Sequence, residues 1–115
     1  MSEIKFTIPM ELPSLNVRDK QHWSQRRKHK KTMSLFVPER KAKPTVKMSV
    51  RIHHYRYSEI MDDDNLVASA KSLLDILTAY NLIYDDSREW VEVTHCQEVD
   101  RKNRRTEVTI REVEK

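Results

Sequence analysis

The sequence has no glycine in 115 residues, where average usage would supply about eight. That absence excludes the P-loop, the G-x-G-x-x-G dinucleotide fingerprint and the G-x-S-x-G nucleophile elbow, each of which needs backbone conformations that a Cβ forbids. The EF-hand loop and the GXXG clamp of KH domains go with them. Phosphate groups would have to be met by side chains or metal ions. Cysteine is nearly as scarce: Cys96 stands alone, so neither an intrachain disulfide nor a cysteine-rich zinc site can form. No apolar run approaches about 18 residues, and the N-terminus lacks the basic-then-apolar layout of a signal peptide. A soluble, cytoplasmic protein with no membrane association is expected.

What the chain has in abundance is charge. Charged residues make up 35% and hydrophobic ones 37%, which at this length implies one domain with a modest core. The two signs are unevenly placed. Residues 1–47 hold twelve Lys and Arg against four acids, whereas residues 48–115 hold ten against fourteen. The densest basic stretch contains Arg18, Lys20, Arg26, Arg27, Lys28, Lys30 and Lys31, with His22, Trp23 and His29 among them. Basic residues beside an aromatic suit a polyanion, because each phosphate contact releases counterions. A solvated helix face would read the same way from charge alone.

Hydrophobic periodicity predicts a short strand over residues 3–9, a basic helix from about Asp19 to Phe36 with Trp23, Met33 and Phe36 as packing residues, and a long half-buried strand from Thr45 to Tyr57. Leu66 to Tyr80 reads as one helix, with Leu66, Ala70, Leu73, Leu74 and Leu77 on its apolar face. Trp90 to Val99 and Arg104 to Val113 have strand character, and Asp100-Arg101-Lys102-Asn103 between them suggests a hairpin with a basic tip. The expected fold is a single α+β domain over residues 1–115, a mixed β-sheet with helices packed on it, in the order β-α-β-α-β-β.

The acids of the second half are clustered. Asp62 and Asp64 sit where a strand hands over to a helix, and alternate residues of an extended segment point to the same side, so both can ligate one hard cation. Ordinary helix capping by Asp and Asn would place acids there too. Asp85-Asp86 adds a second pair after the same helix. Lys71 lies seven residues after Asp64, about 20° short of two helical turns, and Asp75 continues that stripe opposite the leucine face. Carboxylates near a lysine suit metal-assisted phosphodiester hydrolysis, the metal lowering the pKa of attacking water and the lysine stabilising developing charge. His53 and His54, adjacent on a strand, point to opposite faces and read as structural, as do His95, Cys96, Trp23 and Trp90.

D-x-D-N-L at Asp62–Leu66, a leucine-rich helix and L-I-Y-D-D-S at Leu82–Ser87 together resemble the RusA family of crossover junction endodeoxyribonucleases, phage and prophage members in particular. The opening Leu12-Pro13-Ser14-Leu15-Asn16, followed by His22-Trp23 and a basic helix, is similar too. The resemblance implies a homodimeric, Mg²⁺-dependent Holliday-junction resolvase, with Mn²⁺ as a substitute metal and no small-molecule cofactor, encoded by a phage or prophage. Carried over, Asp62, Asp64 and Asp86 would be the metal-binding catalytic acids and Asp85 a neighbouring ligand candidate. The family's lysine position, four residues after the second aspartate, is Ala68 here, and Lys71 takes its place on the same helical face. The basic segment from Arg18 to Lys31 and the tip residues Arg101, Lys102, Arg104 and Arg105 would hold the arms of branched DNA by their phosphates. Ile76 and the exposed part of the long strand are candidates for a dimer seam.

Two other functions fit the same residues: a non-catalytic DNA-binding or phage regulatory protein on this fold, and a general nuclease for branched or flap DNA. The resemblance also shows where glycine has gone. Relatives carry Ala-Gly between the helix and the Asp-Asp pair, where this chain has Tyr80-Asn81. Asparagine is the next best residue for a left-handed cap, so Asn81 should have positive φ, and Asn103 should do the same in the hairpin.

Overall fold

Alternation of apolar and polar residues at period two builds the sheet. The structure is a computed structural model that describes residues 3–12, 23–60 and 63–113, with backbone alone for 23–26 and 63. Strands β1 (Ile4–Ile8), β2 (Met48–Arg56), β3 (Val91–Val99) and β4 (Arg105–Glu112) form one four-stranded sheet in the order β1-β4-β2-β3. β4 pairs antiparallel with both β1 and β2, and β2 pairs parallel with β3. The helices are α1 (Trp23–Ser34), α2 (Asp63–Ser69) and α3 (Lys71–Ala79). The expected α+β class with a mixed sheet is the observed one.

Three features differ from the sequence reading. The helix expected over residues 66–80 is broken at Ala70. The Ser69 hydroxyl donates to the Leu66 carbonyl at 2.6 Å, and the Ala70 N–H bonds the Val67 carbonyl three residues back. Such back-bonding tightens the last turn and ends α2, after which Leu74 N–H to Ala70 O starts α3. Second, β3 and β4 form no hairpin, because β2 lies between them; residues 100–104 cross over the end of β2 instead. Asn103 accordingly needs no left-handed turn, and Asn81, with φ 65°, is the one non-glycine residue at positive φ among the described residues. Third, Phe36 is exposed, and Val37 takes its place in the core beside Met33.

Asn81 ends α3 in a Schellman motif. Leu82 N–H bonds the Leu77 carbonyl at 3.0 Å and Asn81 N–H bonds the Thr78 carbonyl at 3.2 Å, while Leu77 and Leu82 are both buried. The Asn81 side chain also donates to the Arg40 carbonyl at 2.8 Å, tying the helix end to the connection before β2.

One sheet face carries the core. Met48, Val50 and Ile52 of β2, Val91 of β3, Val108 and Ile110 of β4 and Ile8 of β1 pack against Leu73, Ile76 and Leu77 of α3, with Met33 of α1 and Leu12 closing the cluster. Ile76 is therefore an interior residue of one chain and not a dimer contact. The opposite face is polar. Lys5, Ser49, Arg51, His53, Thr94, Glu107, Thr109 and Arg111 line a cleft of about 530 Å³ there.

Leu73 is fully buried where α3 meets the sheet. Leu73→Ala should cost about 2–5 kcal/mol of stability, whereas Val67→Ala, at an exposed position on α2, should stay within about 0.5 kcal/mol. Urea denaturation of both variants checks this, and equal losses would contradict the assigned core.

Candidate carboxylate sites and nucleic-acid interface

Because β2 and β3 are parallel neighbours, the connection between them must travel the full length of the sheet. It leaves at the C-terminal ends of the strands and returns at their N-terminal ends. The two acid pairs are consequently separated. Asp64 lies in the first turn of α2, just after β2 ends, and Asp85 and Asp86 lie after α3, just before β3 begins. α3 alone, Lys71–Ala79, supplies about 12 Å of rise between them. Asp62 lies outside the described residues.

At the end where β2 and β3 begin, Asp85 and Asp86 share a pocket of about 360 Å³ with Asp75, Thr78, Ala79 and Lys43. Lys43 Nζ donates to the Thr78 carbonyl at 2.8 Å and to the Tyr84 carbonyl at 3.2 Å, placing a cation at the C-terminus of α3 where the helix dipole favours one. Nothing in the local sequence marked Lys43, which reaches 35 residues along the chain. Asp75 and Ala79 also belong to the wall of an adjoining groove of about 540 Å³ between α1 and α3, lined by Arg27, Lys28, Lys30, Lys31 and Tyr80 among others. Lys30 pairs with Asp75 at 3.6 Å, so one of the expected phosphate ligands is shared with an acid. Lys28 and Lys31 are exposed. Arg18 and Lys20 lie outside the described residues, as does the side chain of Arg26.

At the opposite end the core becomes polar. His54 is buried and its Nε2 lies 3.0 Å from His95 Nδ1 of β3; the other nitrogen of each ring has no partner among the described residues. Gln97 clamps the approach to the D-x-D segment from both sides: its Oε1 accepts from Ile60 N–H at 3.0 Å and its Nε2 donates to the Ile60 carbonyl at 2.8 Å. Buried Arg56 donates to the Leu12 carbonyl at 2.6 Å and pairs with Glu11 at 3.3 Å. Burial lowers the Arg56 pKa, and Glu11 opposes that shift. His53, on the open face, pairs with Glu98 at 3.1 Å. His53 and His54 thus lie on opposite faces of the sheet, each bonded to a residue of β3. Asp64 and Lys71 are exposed, and the two lie on either side of the break at Ala70.

The basic tip is largely engaged within the chain. Arg105 bonds Glu107 at 2.8 Å and Asp100 at 3.1 Å, which raises its pKa, and its guanidinium lies 3.6 Å from the Tyr55 ring centre. Arg104 pairs with Glu11 at 3.4 Å, and Arg101 Nε donates to the Tyr57 carbonyl at 3.1 Å. Lys102 is exposed and has no hydrogen bond or ion pair among the described residues.

Carboxylate oxygens are the donors Mg²⁺ prefers, and Asp75, Asp85 and Asp86 supply them. Among the described residues, however, no three His, Cys, Asp or Glu side chains lie close enough to hold one ion. Among those residues, too, no helix is long and apolar enough to cross a membrane. No protein-family model matches the chain, and no curated protein matches it. The likeness to RusA enzymes rests on the motif residues alone.

The imidazole pair carries a pH signature. Burial, reinforced by the nearby charges of His95, Arg56 and His53, drives the His54 pKa from 6.5 to about 3, and burial lowers that of His95. Between these limits the unfolded chain binds a proton that the folded chain refuses. Stability contributed by the neutral pair is therefore complete above pH 6.5 and falls on acidification toward about 3, by about 1.4 kcal/mol per pH unit for His54. Urea midpoints measured from about pH 7 down to about pH 5, above most carboxylate titration, should show the slope. His54→Gln should flatten it; an unchanged slope would remove His54 as its source.

Proposed function

We propose that this chain is a Mg²⁺-dependent, structure-selective DNA endonuclease that resolves four-way junctions by paired nicks as a homodimer. The observation that carries the reading is the continuity of the basic α1/α3 groove with the carboxylate pocket, through their shared wall at Asp75 and Ala79. A DNA strand held by its phosphates on Lys28 and Lys31 would run directly past Asp85 and Asp86. The motif residues support the same activity.

The separation of the acid pairs supports the dimer. Asp64 belongs to the opposite end of the sheet from Asp86, so one ion held by both draws on two chains. Two-fold symmetry then creates two equivalent sites, matching the two opposed strands of a junction. A bound Mg²⁺, or Mn²⁺ in its place, would neutralise the phosphate and make water a nucleophile at neutral pH. Asp62, Asp64 and Asp86 would hold the metal, with Asp85 beside them. Lys71, the first residue after the break that separates it from the helix of Asp64, would bring an ammonium to that end of the sheet and stabilise charge developing on the phosphoryl oxygens. The lack of a three-residue ligand set among the described residues of one chain favours a second reading, a protein that binds branched DNA without cutting it.

Purified protein with a synthetic four-way junction, a linear duplex and a flap, each with and without Mg²⁺, separates these readings. Symmetric nicks confined to the junction support the resolvase, cleavage of all branched substrates supports a general nuclease, and binding without cleavage in either metal sinks the enzyme. Asp64→Asn and Asp86→Asn should each abolish cutting yet retain junction binding, and Lys71→Ala should slow it about 10²- to 10³-fold. Mixing the two aspartate variants tests the shared site. Across chains, a mixed dimer keeps one intact site and recovers single nicks. Within one chain, both sites stay broken and nothing recovers.

A further inference from the structure

Beyond the end of β2 the chain holds an aromatic ring among cations without burying it. Tyr57 is 52% exposed, although its neighbour Arg56 is interior. The Arg101 guanidinium lies 5.0 Å from its ring centre and that of Arg104 5.8 Å away. The ring is held in register by the backbone: Arg101 donates to the Tyr57 carbonyl, and the Asp100 N–H bonds the Arg56 carbonyl at 2.8 Å. The crossing connection of residues 100–104 is thereby fixed against the tyrosine. The acids of this corner, Glu11 and Asp100, are both paired with arginines, and Lys102 has no ion pair among the described residues. A cleft of about 420 Å³, lined by Pro9, Met10, Glu11 and residues 101–104, opens beside it.

Neither packing nor phosphate binding needs this ring. Packing would bury it, and phosphates are met by the cations alone. An exposed ring with two guanidinium groups beside it is suited to stacking on a flat, aromatic, anion-flanked group, which describes a nucleotide. In a linear duplex the base faces are covered by their neighbours, whereas a branch point can offer an unstacked one. Tyr57 stands five residues before Asp62, at the same end of the sheet as Asp64. We propose that Tyr57, flanked by Arg101, Lys102 and Arg104, is a stacking platform for an unpaired nucleobase at the branch point of the DNA. The platform rests on the nuclease reading for its substrate and adds to it the residue that discriminates branched from linear DNA.

The test is binding without metal, where no cleavage occurs, to a four-way junction carrying 2-aminopurine at the branch point. Wild type and Tyr57→Phe should quench the probe. Tyr57→Leu, bulky but not aromatic, should lose the quench and about 5- to 150-fold in junction affinity, while linear-duplex affinity changes less than about two-fold. Retained quenching and affinity in Tyr57→Leu would overturn the platform, and so would an equal loss on both DNAs. Photocrosslinking of wild type to a junction with 5-iodouracil at the branch point should map to Tyr57; a crosslink mapped elsewhere also overturns it. Failure of the parent reading looks different: quenching and crosslinking at Tyr57 with no cleavage in Mg²⁺ would leave the platform standing and remove the enzyme.

Discussion

The parallel pairing of β2 with β3 governs the arrangement of everything else. Parallel neighbours cannot be joined by a tight turn, so the chain crosses the whole sheet through α2 and α3 before β3 can begin. That crossing supplies the helix that covers the core, since Leu73, Ile76 and Leu77 are residues of the connection itself. It also sends Asp64 and the Asp85-Asp86 pair to opposite ends of the sheet. β4 then occupies the free side of β2, which forces residues 100–104 across the strand end and against Tyr57. A hairpin between β3 and β4 would have left that corner empty.

Along the helix-covered face, polarity changes steadily from one end to the other. Met48, Val50 and Val91 give way to Ile52 and His95, then to His54, Gln97 and Arg56. The apolar end provides burial, and the polar end provides geometry. Three polar groups there fasten segments outside the sheet: buried Arg56 holds residues 11 and 12, buried Thr106 holds Met10, and half-buried Gln97 from the neighbouring strand holds Ile60. Such anchoring requires neutral imidazoles beside the arginine, since a second buried cation next to Arg56 would carry a large desolvation cost.

Much of the fold could be read from residue order. Alternation located β1 and β2, strand character located β3 and β4, and the leucine stripe located the helix over the sheet, because these patterns report burial directly. Pairing partners were not legible. Arg105 follows Val99 closely, and proximity in sequence suggested a hairpin, yet strand order is decided by which edges remain free once β2 and β3 have paired. The break at Ala70 was hidden for a related reason: Ser69 is compatible with a helix, and only its bond to Leu66 shows that it ends one. At the candidate site, Asp85 and Asp86 were visible as a motif, whereas Lys43, Gln97 and Tyr57 were not. Their positions follow from contacts 35 to 44 residues away, which leave no local trace. Asn81 was legible because a missing glycine at a helix end narrows the choice to one substitute.

The missing glycines bear on the denatured chain as much as on the folded one. Glycine is the residue whose removal most reduces the conformations open to an unfolded polypeptide, and each compatible replacement adds about 0.4–1 kcal/mol to stability by that route. A small, highly charged domain with a polar sheet face left open has limited apolar area to bury. Part of what keeps it folded is therefore that its disordered state has less freedom to offer, at the expense of one asparagine held in the left-handed region at Asn81.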